Sequence, residues 1–441
     1  MTPLLADLPH IEAFPTVDEV LAFADRLAAE HPERVSVRDV GRSRAGDRIQ
    51  LLTVAAASPR GSVLVVGQPH PNEPIGMATV MTLARRLAER PDAVDELGVD
   101  WHFVPCADPD ATRLNEGWFA GPWTREHYAR NFFRPQGSAQ VEWTFPFRHG
   151  DFEVDAPMPE TEALMAAIDI ARPQVLTSLH NAELGGAYFY ATPGSPGLYP
   201  RLTALCDEQG IPLHLGDPET PFSVELHPAV FTVPTATQMY EMAMSIGMDP
   251  AVLVSGASSL AYAEQYGPVA GVVVELPYWR DERAADTTAD PSGVTRRDAT
   301  LAALDLQEQA HTRLRELLET AGELPPSPFR DAVEQFTAMF EGAYIEGQRE
   351  EARSSAEYDR PATVADTFSL RDNLHMSRLR LGGMLLRAIP PGAPARDEAE
   401  RVFDGWCGEA AADDKASVIP IRDLVAVQAG SVLAAVEETV S

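Results

Sequence analysis

Hydrophobic residues between positions 35 and 276 follow two patterns that alternate along the chain. Short runs such as SVLVVG (62–67) and GVVVEL (271–276) are almost continuously apolar, which is typical of strands covered on both faces. Segments such as GMATVMTLARRLAER (76–90) repeat their apolar residues at helical spacing. Strands that alternate with helices predict an α/β fold, with a mixed sheet that is parallel at its centre and flanked by helices.

The pattern changes after about residue 285. The stretch 282–298 is polar and has no periodicity, which indicates a linker or a long loop. Long helical patterns then continue to the end of the chain, and prolines punctuate them. The sequence therefore predicts an α/β domain over residues 1–285 and an all-helical C-terminal module over residues 286–441.

Charge and cysteine content restrict the possible partners and the compartment. The chain carries 35 Lys and Arg against 66 Asp and Glu, a net charge of −31, which repels nucleic acids and anionic membranes, so neither is expected as a partner. Its cysteines are far apart and form no CxxC pair, which favours a reducing compartment. With no secretory-type leader and no apolar run of roughly 20 residues, a cytoplasmic location is expected. The oligomeric state is left open.

A stiff loop follows the strand at 62–67 and carries two potential metal ligands. In VVGQPHPNEPIG (65–76), Pro69 and Pro71 flank His70, and Glu73 follows three positions later. An HxxE pair alone is a weak signal, but QVLTSLHNAE (174–183) places His180 at the end of another apolar run. Two histidines and one glutamate are a known ligand set of catalytic zinc, with one position left for water. The sequence predicts one zinc ion per chain, bound by these three residues.

A fourth polar residue, Glu275, ends the strand pattern at 271–276. A carboxylate at the end of such an apolar strand is costly unless it is paired. In open α/β sheets, ligands bind in the crevice outside the carboxyl ends of the strands. We therefore expect Glu275 in the same crevice as the predicted zinc ligands.

The stretch 130–153, RNFFRPQGSAQVEWTFPFRHGDFE, is rich in aromatic residues and arginine. It can form a wall or lid of a pocket, or it can simply pack under a long loop. His127, Glu142 and His149 in or near it are of ligand type, but no regular spacing supports a second metal site.

Six segments, in order along residues 15–282, resemble the motifs of the zinc carboxypeptidases, the M14 metallopeptidases related to carboxypeptidase A. The resemblance implies the fold of these enzymes, a zinc cofactor and hydrolase activity, with residues 1–285 as the catalytic domain. The matching segments are VGRSRAGDRIQLLTV (40–54), HPNE (70–73), DPDATRLN (108–115), YARNFF (128–133), PETEALMAAIDIARPQVLTSLHNAE (159–183) and VVVELPY (272–278).

The resemblance also implies a role for each matched residue. Glu275 would act first as general base and then as general acid. Arg113 would polarise the substrate carbonyl and stabilise the oxyanion. Arg130 would bind a substrate carboxylate with two parallel hydrogen bonds, next to Asn131 as a second substrate-binding residue.

The chain also departs from the family pattern. Ala129 stands where the family has the asparagine that precedes the carboxylate-binding arginine, and no tyrosine occurs in PAVLVSGASS (250–259) where the family has one. Tyr240 and Tyr262 are loose candidates for that role. These departures leave strict C-terminal exopeptidase specificity open.

Three functions are therefore considered. The leading hypothesis is a zinc-dependent hydrolase that cleaves an amide bond next to a free carboxylate, in a peptide or a small amide. The first alternative is a deacylase or amidase of small N-acyl amino acids or metabolite conjugates. The second is an inactive zinc-binding interaction protein whose helical C-terminus recruits a partner, and the presence of Glu275 argues against it.

Overall fold

A nine-stranded sheet forms the centre of the protein in the computed structural model, which describes residues 3–216, 220, 222–339 and 343–440. Its strand order is β1-β2-β4-β3-β7-β12-β9-β11-β10, and the remaining strands form two small sheets, β14-β13-β8 and β5-β6. The strands are β1 (Val35–Arg42), β2 (Arg48–Val54), β3 (Gly61–Val66), β4 (Val99–Val104), β5 (Phe147–His149), β6 (Phe152–Val154), β7 (Val175–His180), β8 (Leu184–Gly185), β9 (Tyr188–Ala191), β10 (Glu225–His227), β11 (Val230–Thr232), β12 (Ala270–Glu275), β13 (Trp279–Arg280) and β14 (Ser417–Val418).

The four central strands, β4, β3, β7 and β12, pair in parallel, while antiparallel pairs lie on both sides of them. The predicted apolar runs are β3 and β12, and most of their residues are buried because helices cover both faces. This arrangement confirms the predicted fold class, a mixed sheet with a parallel centre. Parallel strands also end at the same edge, and β3, β7 and β12 deliver their last residues there.

Helices pack on both faces of the sheet: α6 lies against β1 and β3, and α2 and α16 lie against β7 on the opposite face. The helices are α1 (Val17–Glu30), α2 (Ile75–Glu89), α3 (Pro91–Leu97), α4 (Pro109–Arg113), α5 (Arg125–Asn131), α6 (Pro159–Ala171), α7 (Tyr199–Gln209), α8 (Ala236–Ser245), α9 (Pro250–Leu253), α10 (Ser259–Ala263), α11 (Arg296–Ala321), α12 (Pro328–Met339), α13 (Ala343–Ser354), α14 (Val364–Ala388), α15 (Pro394–Asp413) and α16 (Ile421–Val440). No helix in the described ranges is long and apolar enough to cross a membrane.

The C-terminal region is helical, as predicted, with one correction. Ser417–Val418 forms strand β14, which pairs with β13 of the N-terminal region, so the region is not all-helical. One buried apolar cluster runs from Leu4 to Val436 and includes residues of both parts of the chain. Helix α16 is buried almost all round because it packs between α2 and α7. The division into residues 1–285 and 286–441 stays a prediction.

Helix α14 reaches the N-terminal region through a glycine. A Cβ atom on Gly383 would lie 1.9 Å from the backbone oxygen of Ala129 in α5, so the bare glycine permits this close approach. A glycine inside a helix otherwise weakens it by about 1 kcal/mol relative to alanine. The contact thus outweighs the intrinsic helix preference at this position.

Gly383→Ala is expected to lower the free energy of unfolding by roughly 1–3 kcal/mol, because the added methyl group collides with backbone that cannot swing away. The matched control is Gly408→Ala in α15, where nothing lies within 4 Å of the added Cβ, and which should gain roughly 0.5–1 kcal/mol from helix propensity. Urea titrations of both variants measure the difference. Equal stabilisation by both changes would show that α14 does not press on α5.

Candidate metal centre and active site

The loop between β3 and α2 holds His70 and Glu73 close together. The Glu73 amide donates to the His70 carbonyl at 3.1 Å, and the Gln68 side chain donates to the Pro71 carbonyl at 2.8 Å. A Cβ on Gly76 would lie 3.0 Å from the Leu179 carbonyl, so the first turn of α2 approaches β7 very closely. This approach places the loop beside the end of β7.

His70, Glu73 and His180 converge as the sequence predicts. One potential ligand atom from each lies within 4.8 Å of the other two, and all three side chains are buried. His180 Nδ1 lies 2.9 Å from a carboxylate oxygen of Glu73, and the two imidazole centroids are 4.8 Å apart. In the part of the chain that the structure describes, no other group of three or more His, Cys, Asp or Glu side chains converges in this way.

The orientation of these side chains fits a metal ion. His180 Nε2 lies 2.9 Å from the Ser178 hydroxyl, which directs Nδ1 toward Glu73. His70 Nδ1 is buried and forms no protein hydrogen bond, and such an atom is rare unless a ligand uses it. Two imidazole nitrogens and one carboxylate are a donor set that suits zinc.

Burial and charge shape the electrostatics of the three residues. Burial alone would lower the pKa of His180, but the carboxylates of Glu73 and Glu275 outweigh it and raise that pKa to about 9. Burial, together with the positive charge of Arg134, keeps the pKa of His70 well below its usual value. Burial opposes ionisation of Glu73, yet the neighbouring positive groups hold its pKa below the usual range. These shifts favour the ionised form of Glu73, the protonated form of His180 and the neutral form of His70.

Glu275 joins the site through strand register. In the parallel β7–β12 pair, Glu275 is the partner of His180, and its Oε1 lies 3.6 Å from His180 Nδ1. Its side chain is 9% exposed and lines the cavity in front of the three potential ligands. The position of Glu275 thus agrees with the prediction that it lies in the same crevice as His70, Glu73 and His180.

A cavity of about 340 Å³ opens in front of these residues. Two arginines line it, and the sequence predicts neither of them as a site residue. Arg134 donates from Nη1 to Glu73 Oε1 at 2.6 Å. Arg380 reaches the cavity from α14 and donates from Nε to Glu183 Oε2 at 3.0 Å. The cavity wall therefore includes residues far beyond position 285.

The structure does not bring Arg113, Arg130 or Asn131 to this cavity, which corrects the roles expected for them. Arg113 pairs with Asp47 at 2.8 Å and with Asp18 at 2.7 Å.

Arg130 pairs with Glu126 at 2.9 Å and with Asp404 of α15 at 2.5 Å. Its neighbour Asn131 donates to the His127 carbonyl at 2.9 Å. Because Ala129 faces α14, the next residue of α5 is turned about 100° around the helix toward α15.

The sequence does not predict several of the residues that line the cavity, and the reasons can be identified. Arg134 and Glu142 belong to the aromatic stretch for which the sequence allows either a pocket wall or packing, and the structure shows that part of it is a wall. Arg380 has no sequence signal, because it is one of many polar residues on a long helix. The loose tyrosine candidates do not line the cavity, whereas Tyr188 and Tyr190 of β9 do.

Residues 20–207 match the zinc carboxypeptidase (peptidase M14) family model. This segment belongs to the zinc carboxypeptidase family. It contains His70, Glu73 and His180, and it ends before Glu275 and the C-terminal helices. The chain is 35% identical to zinc carboxypeptidase A 1 of Anopheles gambiae over 98 residues, which are 22% of this chain and 23% of the relative.

A second relative is carboxypeptidase B of Astacus astacus, 29% identical over 96 residues, which are 21% of this chain and 32% of the relative. The chain thus spans a third or less of these two proteins. Among solved structures, a metallo-carboxypeptidase from Burkholderia cenocepacia has a TM-score of 0.38 and 18% identity, and the match covers 61% of each chain.

The purified protein should contain about one zinc ion per chain, and the double change His70→Ala with His180→Ala should remove it, because two of three ligands are lost. Metal analysis measures the content. In the control variant His149→Ala, which lies outside the cavity, the metal should remain. Added zinc should raise the melting temperature of the wild type and the control only. Unchanged zinc content in the double variant would contradict the assignment.

Proposed function

We propose that the protein is a zinc-dependent hydrolase that cleaves an amide bond next to a free carboxylate. The observation that carries this proposal is the convergence of two imidazoles and a carboxylate beside Glu275 in a cavity that two arginines also line. The family segment at residues 20–207 supports a zinc cofactor for the three ligand residues.

The side chains of this site supply the remaining chemistry of hydrolysis. Zinc, when bound, would act as a Lewis acid on the amide carbonyl and lower the pKa of water. Glu275 lies where it can accept the proton of the attacking water and then pass it to the leaving nitrogen. The guanidinium of Arg134 lies against the ligand Glu73, so it can stabilise negative charge that develops on the carbonyl oxygen.

In this proposal, the arginines that line the cavity bind the substrate carboxylate. Arg380 is 18% exposed and lines the cavity while its Nε binds Glu183, whereas Arg130 lies outside the cavity, paired with Glu126 and Asp404. Glu183 binds Arg380 on one oxygen and Arg125 on the other, which holds this corner rigid. An incoming carboxylate would therefore meet a guanidinium that is already positioned.

A second candidate function is a deacylase or amidase of small N-acyl amino acids or metabolite conjugates. A cavity of about 340 Å³, walled on one side by helix α14, suits a small molecule. An activity screen that compares peptides with N-acyl amino acids separates the two functions. An inactive binding protein would hydrolyse neither class of substrate.

A cytoplasmic location is part of the same proposal. The three cysteines are unpaired, with Cys106 and Cys206 buried, which supports a reducing compartment. The expected binding partner is a peptide or a small amide with a free carboxylate. Nucleic acids and membranes are not expected partners.

Glu275→Gln is expected to lower kcat by at least roughly 10²-fold while zinc content stays normal, because the amide keeps the shape of the side chain but cannot accept a proton. Steady-state kinetics and metal analysis on the same preparation measure both quantities. The control Glu264→Gln changes an exposed carboxylate outside the cavity and should leave kcat unaltered. A Glu275→Gln enzyme that retained most of its kcat would show that another group is the base.

Arg380→Ala should reduce kcat/KM for substrates with a free carboxylate roughly 10- to 100-fold more than for their amidated forms, because a charge-assisted hydrogen bond contributes roughly 1.5–3 kcal/mol. Arg130→Ala is the matched comparison: it should leave this preference intact and alter stability by less than about 1 kcal/mol, as for other exposed ion pairs. If Arg130→Ala removed the preference for free carboxylates and Arg380→Ala kept it, Arg130 would be the carboxylate-binding residue.

A further inference from the structure

Two buried side chains beside the metal site, Asn181 and Tyr278, are bonded to each other. Asn181 directly follows His180, and Tyr278 comes three residues after Glu275. Asn181 is 4% exposed and Tyr278 is 3% exposed. The Tyr278 hydroxyl donates to the Asn181 side-chain oxygen at 3.1 Å. The two residues therefore form one unit, referred to below as the Asn181–Tyr278 pair.

The pair bonds to the backbone on both sides of strand β7. In the segment after β3, the Ile75 amide donates to the Asn181 oxygen at 3.2 Å. The Tyr278 hydroxyl also donates to the Asn72 carbonyl in that segment, at 2.6 Å. After β12, the Leu276 carbonyl accepts from the Asn181 side-chain nitrogen at 3.2 Å. One amide and one phenol thus link the three segments that carry the potential zinc ligands and the proposed base.

The Tyr278 side chain is held in place by the fold itself. Its ring centroid lies 5.1 Å from that of Trp118 and 5.8 Å from that of Tyr128, inside a buried aromatic cluster. Its backbone amide donates to the Glu183 carbonyl at 3.0 Å, and its carbonyl accepts from the Ile419 amide at 3.0 Å. The hydroxyl is therefore fixed in position by packing and backbone bonds on several sides.

The Tyr278 hydroxyl also keeps its proton. Burial, together with the neighbouring Tyr128 and Glu73, holds the pKa of Tyr278 well above its usual value. A protonated hydroxyl can donate to the Asn72 carbonyl and to the Asn181 oxygen, which are both acceptors. The Asn72 carbonyl belongs to the loop between the two ligand residues of the HxxE motif, so this bond acts on that loop directly.

We propose that Asn181 and Tyr278 are positioning residues that set the spacing of the three potential zinc ligands and of Glu275. They act through the backbone that they link. This inference rests on the proposed function, since it concerns the metal and the base of the same site. Groups that orient metal ligands in this way typically contribute 10- to 100-fold to metal affinity or activity.

The test is Tyr278→Phe, which removes one hydroxyl and keeps the ring in its aromatic cluster. The zinc dissociation constant, measured by competition with a chelating dye, should rise roughly 10- to 100-fold. The visible absorption of the cobalt(II)-loaded protein should also change, because it depends on coordination geometry. With a peptide substrate, kcat should fall while KM changes little.

Tyr199→Phe is the matched control. The Tyr199 hydroxyl also donates to a backbone carbonyl, that of Thr192 at 3.3 Å, and the residue is 6% exposed and lies outside the cavity. Both variants should lower the melting temperature of the metal-free protein by similar amounts, because each loses one hydroxyl donor. Only Tyr278→Phe should weaken zinc binding.

Asn181→Ala and the double variant test whether the pair acts as a unit. The double change should raise the zinc dissociation constant by less than the product of the two single effects, because the two side chains share a hydrogen bond. Zinc affinity is measured without substrate, so a contact between Asn181 and a substrate does not enter the comparison.

Two results would overturn the inference. The first is an unchanged zinc affinity and cobalt spectrum in Tyr278→Phe with only a lower melting temperature, which would make the pair purely structural. The second is a double variant whose loss equals the product of the single losses. Weaker zinc binding in Tyr278→Phe, in a protein whose wild type hydrolyses no substrate, would support the inference and refute only the proposed hydrolase function.

Discussion

The parallel pairing of β7 with β12 is the constraint on which the site depends. This register sets His180 beside Glu275, and Glu73 then lies 2.9 Å from the same imidazole. Gathering three buried ionisable groups in one place removes them from water at a large cost in free energy. Arg134 and the Ser178 hydroxyl offset part of that cost through hydrogen bonds, and a metal ion would offset more.

The C-terminal helices belong to this arrangement rather than standing apart from it. Gln428 of α16 donates to the His180 carbonyl at 2.8 Å and accepts from the Thr79 hydroxyl at 2.8 Å, so one buried side chain ties β7 to α2 and α16. Helix α14 supplies Arg380 to the cavity wall and presses against α5 at Gly383. The family segment at residues 20–207 thus carries the three potential metal ligands, while more distant parts of the chain shape the pocket.

Side chains of opposite charge line the cavity. Arg134 lies against Glu73 at the metal site, whereas Glu142 in the cavity wall accepts hydrogen bonds from Ser259. Burial strengthens each of these pairings, since the effective dielectric constant inside the cavity is lower than in water.

Local patterns in the sequence were enough to predict the central strands, the helical C-terminal region and the convergence of His70, Glu73 and His180, because apolar periodicity and an HxxE loop are short-range signals. Sequence similarity alone placed Arg130 in the pocket, and the packing of α5 turned it toward α15 instead. Arg380 lies 310 positions beyond the first ligand, and no local pattern distinguishes it from other helix-surface arginines. Only the tertiary structure decided which charged side chains face the cavity. Their direction depends on the angles at which separate helices pack, and those angles are set by side chains that meet only in the folded chain.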